Sequence, residues 1–352
     1  NPLNEDLAEY VTYPEDSWTR IEPGIGLGGY LIKDKLWFFG SFMPKFKKIT
    51  RDGSTWPVPG GTIFAGDTHM SGSNEFTRKD TYYAGSLKLT GQLANNLRLS
   101  VSGTIDYSDW TGEIPAANGS GNPEKDYAIY GYKDPKFTVG GHLDYTLGNN
   151  LMINASAGYF QADHQQKIGP DGPRYFFLTT NAGVPGMPAD LIRTSGYANY
   201  GYYDGYQTTK SLENKLTGTF DMTYYVNLGG EHVWKAGVQL VRIGVDKDDA
   251  YPYDYNRLYW GRDYEHSDGQ TRPTTLGYIE VRDPFGVVAA VNSTRWAVYL
   301  QDSWTIADKF TLNVGLRVEK EDIPAFAEGY DPPVQFDFFD KFAPRIGFAY
   351  DV

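Results

Sequence analysis

Residues 97–109 read Leu-Arg-Leu-Ser-Val-Ser-Gly-Thr-Ile-Asp-Tyr-Ser-Asp, and every second position is apolar: Leu97, Leu99, Val101, Ile105 and Tyr107, with Gly103 the one interruption. Between them stand Arg98, Ser100, Ser102, Thr104, Asp106 and Ser108. A period of two is the period of a pleated strand, so this stretch has one apolar face and one wet face. The alternation recurs. Leu212, Leu216, Phe220, Met222, Tyr224 and Val226 share one parity, while Glu213, Lys215, Thr217, Thr219, Asp221 and Thr223 share the other. Phe310, Leu312, Val314, Leu316 and Val318 likewise oppose Thr311, Asn313, Arg317 and Glu319.

Counting such segments gives about eleven strands. Five hairpins are expected: 24–32 with 36–48, 82–92 with 97–109, 137–147 with 151–161, 212–226 with 233–245, and 295–305 with 310–319. A last strand, 342–351, is expected to end the chain unpaired. Turns within hairpins are short, as at Lys33-Asp34-Lys35, Asn95-Asn96 and Gly229-Gly230. Connections between hairpins are long, near 49–78, 111–134, 165–210, 247–290 and 321–340. Compact soluble domains seldom hold loops of this length. Strands of about 10 to 14 residues exceed the usual 5 to 6 and match the 9 to 11 that cross a bilayer at a tilt. The expected fold is therefore all-β, an antiparallel transmembrane β-barrel with short periplasmic turns and long extracellular loops. An antiparallel sandwich, or a surface β-protein that binds carbohydrate or other proteins, is the soluble alternative.

Composition agrees. Of 352 residues 16% are aromatic, with 28 Tyr, and 40 are Gly, a mixture suited to strands, tight turns and interfacial girdles. Mean hydropathy is negative, and no apolar run approaches the roughly 18 to 20 residues of a membrane-crossing helix. With no cysteine there is no disulfide, thiolate metal site or Cys nucleophile. A net charge of −12 argues against a nucleic-acid partner. Asn1-Pro2-Leu3 is not the start of an export signal, so a mature or trimmed segment is expected.

Three stretches resemble the TonB-dependent outer-membrane transporters, the Oar-like branch above all. Gly28–Phe42, G-G-Y-L-I-K-D-K-L-W-F-F-G-S-F, is similar to an early barrel hairpin of that family. Trp296–Glu319, W-A-V-Y-L-Q-D-S-W-T-I-A-D-K-F-T-L-N-V-G-L-R-V-E, resembles its mid-barrel hairpin, and Phe342–Asp351 the strand that follows. Alternation alone would not dictate Gln301-Asp302, Trp304 or Gly315-Leu316-Arg317. The resemblance implies a twenty-two-stranded barrel with a plug in its lumen, energised through TonB. Residues 1–352 would then be a partial barrel domain, roughly half the strands. The plug, the C-terminal strands and the N-terminal region that reaches TonB would lie outside it, in the same polypeptide or in another chain.

Transport needs a polar lumen and loops that capture a solute. The expected lumen- or plug-facing residues are Lys45, Arg98, Asp106, His142, Asp144, Glu213, Lys215, Asp221, Arg317 and Arg345. Tyr200, Tyr202, Tyr203 and Tyr206, and Tyr253, Tyr255, Tyr259 and Trp260, crowd two long loops. They are candidates for stacking on a solute, or else pack the loops together. Asp246, Asp248, Asp249 and Asp254 are a weak Ca²⁺ candidate without EF-hand spacing, and a solvated acidic loop is the plainer reading. No cofactor is expected. The five histidines lack metal-ligand spacing and no G-x-S-x-G elbow occurs, so catalysis is not expected. The reading is active transport across the bacterial outer membrane, with membrane lipid, plug and TonB as partners. A passive porin-like barrel is the alternative.

Overall fold

The computed structural model describes residues 15–54, 73–114, 127–167, 173–197, 208–250, 254–282, 286–326 and 329–351. Among them one antiparallel sheet of thirteen strands dominates. Its long members are β3 (Leu36–Ser54), β4 (Ser73–Ala94), β5 (Leu97–Thr111), β6 (Gly131–Leu147), β7 (Leu151–Lys167), β9 (Thr208–Asn227), β10 (Glu231–Ala250), β15 (Gly286–Ile306) and β16 (Phe310–Ile323). They lie side by side in chain order. At one edge β1 (Ser17–Ile21) and β2 (Ile25–Ile32) both pair with β3. At the other, β17 (Val334–Phe336) and β18 (Phe342–Tyr350) both pair with β16. The two edges do not meet, so the barrel is not closed among the described residues.

The register carries the alternation across the sheet. Leu36, Gly91, Leu99, Leu143, Ala155, Phe220, Val238, Val298, Val318 and Phe342 form one unbroken row over ten strands. One residue along each strand, on the opposite face, runs Gln92, Arg98, Asp144, Asn154, Asp221, Gly237, Tyr299, Arg317 and Ala343. A one-residue slip anywhere would exchange the two faces, so the pairing is strongly specified. Among the described residues the apolar face has no protein partner. Leu87 is 56%, Ile105 50% and Leu300 62% exposed, and β9, which carries Leu212, Leu216, Phe220 and Tyr224, packs only edge to edge on β7 and β10. A water-soluble globule would fold such a face inward, so hydrocarbon is the solvent that fits it.

Aromatic clusters bound the apolar band. Tyr83 contacts Phe42, Phe46 and Tyr107 at centroid distances of 6.0, 6.0 and 5.7 Å on one side. Near the short turns Trp234 lies 6.2 Å from Tyr224, and His232 stacks on Trp304 at 5.1 Å. Tyr107 is about ten residues from its turn. At roughly 3.3 Å per residue and about 40° of tilt that spans about 25 Å, the height of a barrel's lipid-facing belt. The turns use the backbone that tight reversals need. Asp34, Ala307 and Asp308 have positive φ, and Gly230 at φ 140° has Trp304 Nε1 only 2.5 Å from where a Cβ would sit.

All eleven expected strands are present, with two corrections. Nine of them are longer, 14 residues in β16 and 22 in β4, because ladder pairing continues past the alternating stretch, while β2 and β18 are each one residue shorter than expected. The last strand is not unpaired: β18 hydrogen-bonds along β16 from Phe342 opposite Val318 to Tyr350 opposite Phe310. Its apolar parity matches that of β16, which makes it the natural neighbour.

Candidate functional site: the polar face and the interlocked outer loops

All ten residues expected to face a lumen lie on the same polar face. Lys45 is level with Tyr82, Asp106 with Lys136, and Glu213 with Ala162. Arg345 is level with Gly315 and Gln301, and through them with Lys235. Much of their charge is matched within the wall. Tyr82 donates to Asp106 at 2.6 Å, Asn154 donates to Asp144 at 2.6 Å, and His142 Nε2 lies 2.8 Å from the same carboxylate. Arg317 donates to Glu319 at 2.6 Å and to Gln239 at 3.2 Å, and the Tyr299 hydroxyl donates to Asp221. Hydroxyl pairs Ser41–Ser86, Thr104–Thr138 and Ser156–Thr219 link neighbouring strands on that face. These groups are half-exposed and hydrogen-bonded, which suits a wall that meets water or a polar domain.

Tyr82, Asn154, Gln239 and Tyr299 escaped sequence reading although each has the polar parity. A Tyr or Gln in an alternating strand does not announce its face, since Tyr also builds girdles. Only the partner across the ladder decides.

Beyond the membrane band the two longest connections are interlocked. β8 (Arg174–Phe177), from the loop between β7 and β9, pairs in parallel with β11 (Tyr255–Trp260), from the loop between β10 and β15. β11 pairs on its other side with β14 (Gly277–Arg282), antiparallel. β12 (Tyr264–Glu265) and β13 (Thr271–Arg272) form a small hairpin between them. Leu178 N–H donates to Leu258 O at 2.9 Å, and Thr179 Oγ1 bonds both the N–H and the carbonyl of Trp260 at 2.6 and 2.9 Å. Residues 178–195 form a loop closed at its neck by Phe177 and Gly196–Tyr197. Asn181, 2% exposed, holds that loop from within: its amide donates to Leu191 O and its carbonyl accepts from Arg193 N–H.

The expected loop aromatics fall in this unit where they are described. Tyr255 stacks on Phe176, Tyr259 lies face to face with Tyr278 at 4.5 Å, and Trp260 packs on Phe177 at 5.9 Å. The Tyr259 hydroxyl donates to Glu280 at 3.3 Å, and Arg282 bonds Glu280 at 2.8 Å. Burial alone would raise the Glu280 carboxyl. The hydrogen bond from Arg282, with Arg257 and Tyr259 nearby, more than reverses this and holds it below the ordinary glutamate value of 4.5. Tyr200, Tyr202, Tyr203, Tyr206 and Tyr253 lie outside the described residues, as does the Asp249 side chain. Asp246 and Asp248 sit on the same face of β10, and Asp254 follows in the next segment. Among the described residues no group of three or more His, Asp or Glu converges as a metal site.

Comparison with known proteins bears on both regions. A family model described as an outer membrane beta barrel domain matches residues 54–352. The TonB-dependent transporter Oar of Myxococcus xanthus is 25% identical over 383 residues, covering 93% of this chain and 35% of its own length. The outer membrane transporter YddB of Escherichia coli superposes with a TM-score of 0.54 at 10% identity, over 95% of this chain and 36% of that one. At that identity the likeness to YddB is one of fold. The chain spans about a third of each.

Proposed function

The chain belongs to the outer membrane beta barrel domain family, and from that premise we propose that it is part of the wall of an active, TonB-dependent transporter. The membership places it in the bacterial outer membrane, with the apolar face against lipid. The observation that carries the transport reading is the similarity to the Oar transporter along nearly the whole chain, together with an open sheet that gathers all ten of the expected lumen residues on one face. In this reading the polar face lines the lumen. Lys45, Arg98, Asp106, His142, Asp144, Glu213, Lys215, Asp221, Arg317 and Arg345 contact hydrated solute or a plug domain. The remaining strands and the plug come from sequence outside residues 1–352, and the plug region engages TonB. The outer loops, whose sequence includes Tyr255, Tyr259 and Trp260 as well as the tyrosines at 200, 202, 203, 206 and 253, capture the solute. Transport, not catalysis, is the activity assigned, and a solvated loop is the reading of the aspartates at 246–254.

Planar-bilayer recording on the full-length polypeptide tests this. A plugged transporter gives no steady conductance until the plug is excised, and then a large one. Steady conductance by the intact polypeptide would overturn the proposal in favour of a passive porin. Cross-linking the full-length protein to the periplasmic domain of TonB tests the energy source separately.

A further inference from the structure

Near one edge of the sheet the polar face carries positive charge that the wall does not neutralise among the described residues. On the outer halves of β3 and β4, beside the link from β1 to β2, lies a hollow of about 680 Å³. Arg20, Lys45, Lys47 and Arg78 line it, against Glu22 and Asp80 as the carboxylates turned into it. Asp109 also borders the hollow, but its carboxylate belongs to the opposite face, where the Tyr107 and Thr111 hydroxyls donate to it. Four cations against two anions leave an excess of two positive charges in a chain whose net charge is −12.

The pairing within the hollow is lopsided. Glu22 is shared by Arg20 at 2.7 Å and Lys45 at 3.7 Å, and Asp80 is taken by Arg78 at 2.7 Å. Lys47, directly across the ladder from Asp80, makes no ion pair among the described residues. The floor is aromatic. The Arg78 guanidinium lies 4.4 Å over the Trp110 ring, and Trp110 meets Tyr132 edge to face at 5.0 Å. Trp110 is three residues beyond Tyr107 of the outer girdle, so the hollow sits just above the outer membrane surface, on the inner side of the wall.

We propose that this hollow is a binding site for a soluble organic anion with a flat or apolar body: its acidic groups meet Lys47, Arg78 and Lys45, and its body rests on Trp110 and Tyr132. Cations over an aromatic floor attract anions and still offer a stacking surface, and both effects strengthen where the wall excludes water. A phosphorylated lipid headgroup offers the same charge, but lipid lies on the other face of the sheet. The inference rests on the reading of the polar face as a lumen open to the outside, and it adds the class of solute.

Equilibrium binding of pyranine, a flat aromatic trisulfonate, to the full-length protein in detergent tests it by fluorescence anisotropy. Lys47→Gln combined with Arg78→Gln weakens binding by about tenfold or more, as expected for two lost charged contacts. Lys33→Gln with Lys35→Gln, in a turn at the far end of the wall, leaves it unchanged. Raising salt from about 0.01 to 1 M weakens wild-type binding as the screening length falls from about 30 to 3 Å. This reading stands even if the first double variant does not fold. Equal affinity in the Lys47/Arg78 variant, an equal loss in the turn variant, no salt dependence, or equally tight binding of uncharged hydroxypyrene would each overturn the proposal. Binding is read without energy input, so failure of TonB coupling sinks the transport reading and leaves this one standing.

Discussion

At Gly237 the wall of the sheet has no room for a side chain. A Cβ there would lie 2.5 Å from both the Tyr299 ring and Asp221 Oδ1, because the tyrosine crosses its neighbour on the ladder to reach the carboxylate. Gly237→Val in the full-length protein should cost about 1–3 kcal/mol, the usual scale for overpacking, read as a lower urea midpoint in micelles. Gly218 lies one strand away on the apolar face with nothing within 4 Å of its Cβ position. Gly218→Ala should be neutral or stabilise by about 0.5 kcal/mol, since alanine loses less freedom than glycine in a strand. Asp221 was recognisable in the sequence as a polar-face residue, because a carboxylate among Thr217, Thr219 and Thr223 has only one face to occupy. Tyr299 and Gly237 were not, because their roles depend on strands that meet only in the folded ladder.

At the scale of strands and loops, the alternation is a claim about solvent, and residues 1–352 contain no cysteine to compete with an introduced one. Single cysteines at 216, 218 and 220 of the full-length protein should be shielded from a charged maleimide and quenched by lipid-borne nitroxides. Those at 215, 217 and 219 should show the reverse. A charge on the apolar side, Phe220→Arg, should destabilise by about 2–4 kcal/mol, and Thr219→Arg by far less. The loop sheet gives a pH prediction. Glu280 has its carboxyl lowered on folding, so the stability it contributes is present above the unfolded value near 4.5 and fades as pH falls through the lower folded value. Hydrogen exchange should show protection of 255–260 and 277–282 dropping between pH 6 and 3, with the long strands unchanged. The strands were legible because period two over ten residues has one interpretation, and their ends were not, because ladder pairing outlasts the alternation. The parallel partnership of β8 and β11 left no trace in the sequence: it joins short segments some eighty residues apart, neither of which alternates enough to be read as a strand.

For the whole molecule the decisive feature is that the sheet does not close. β1 and β2 expose Trp18, Ile21, Ile25 and Leu27 at one edge, and β18 exposes Ile346 and Phe348 at the other. Unpaired edges in lipid cost several kcal/mol per backbone group, so a wall of this kind is stable only within a complete ring. Residues 1–352 produced alone should therefore fail to give the compact, heat-modifiable band of a folded barrel on cold electrophoresis, whereas the full-length polypeptide should give it.

The strand shared between two outer loops has a consequence for how the cell surface is seen from outside. An antibody or bacteriophage that approaches this part of the protein meets a composite epitope, assembled from segments near 175 and 257 that neither peptide reproduces by itself. Escape by insertion or deletion in one loop would disturb the other, so the two must diversify together.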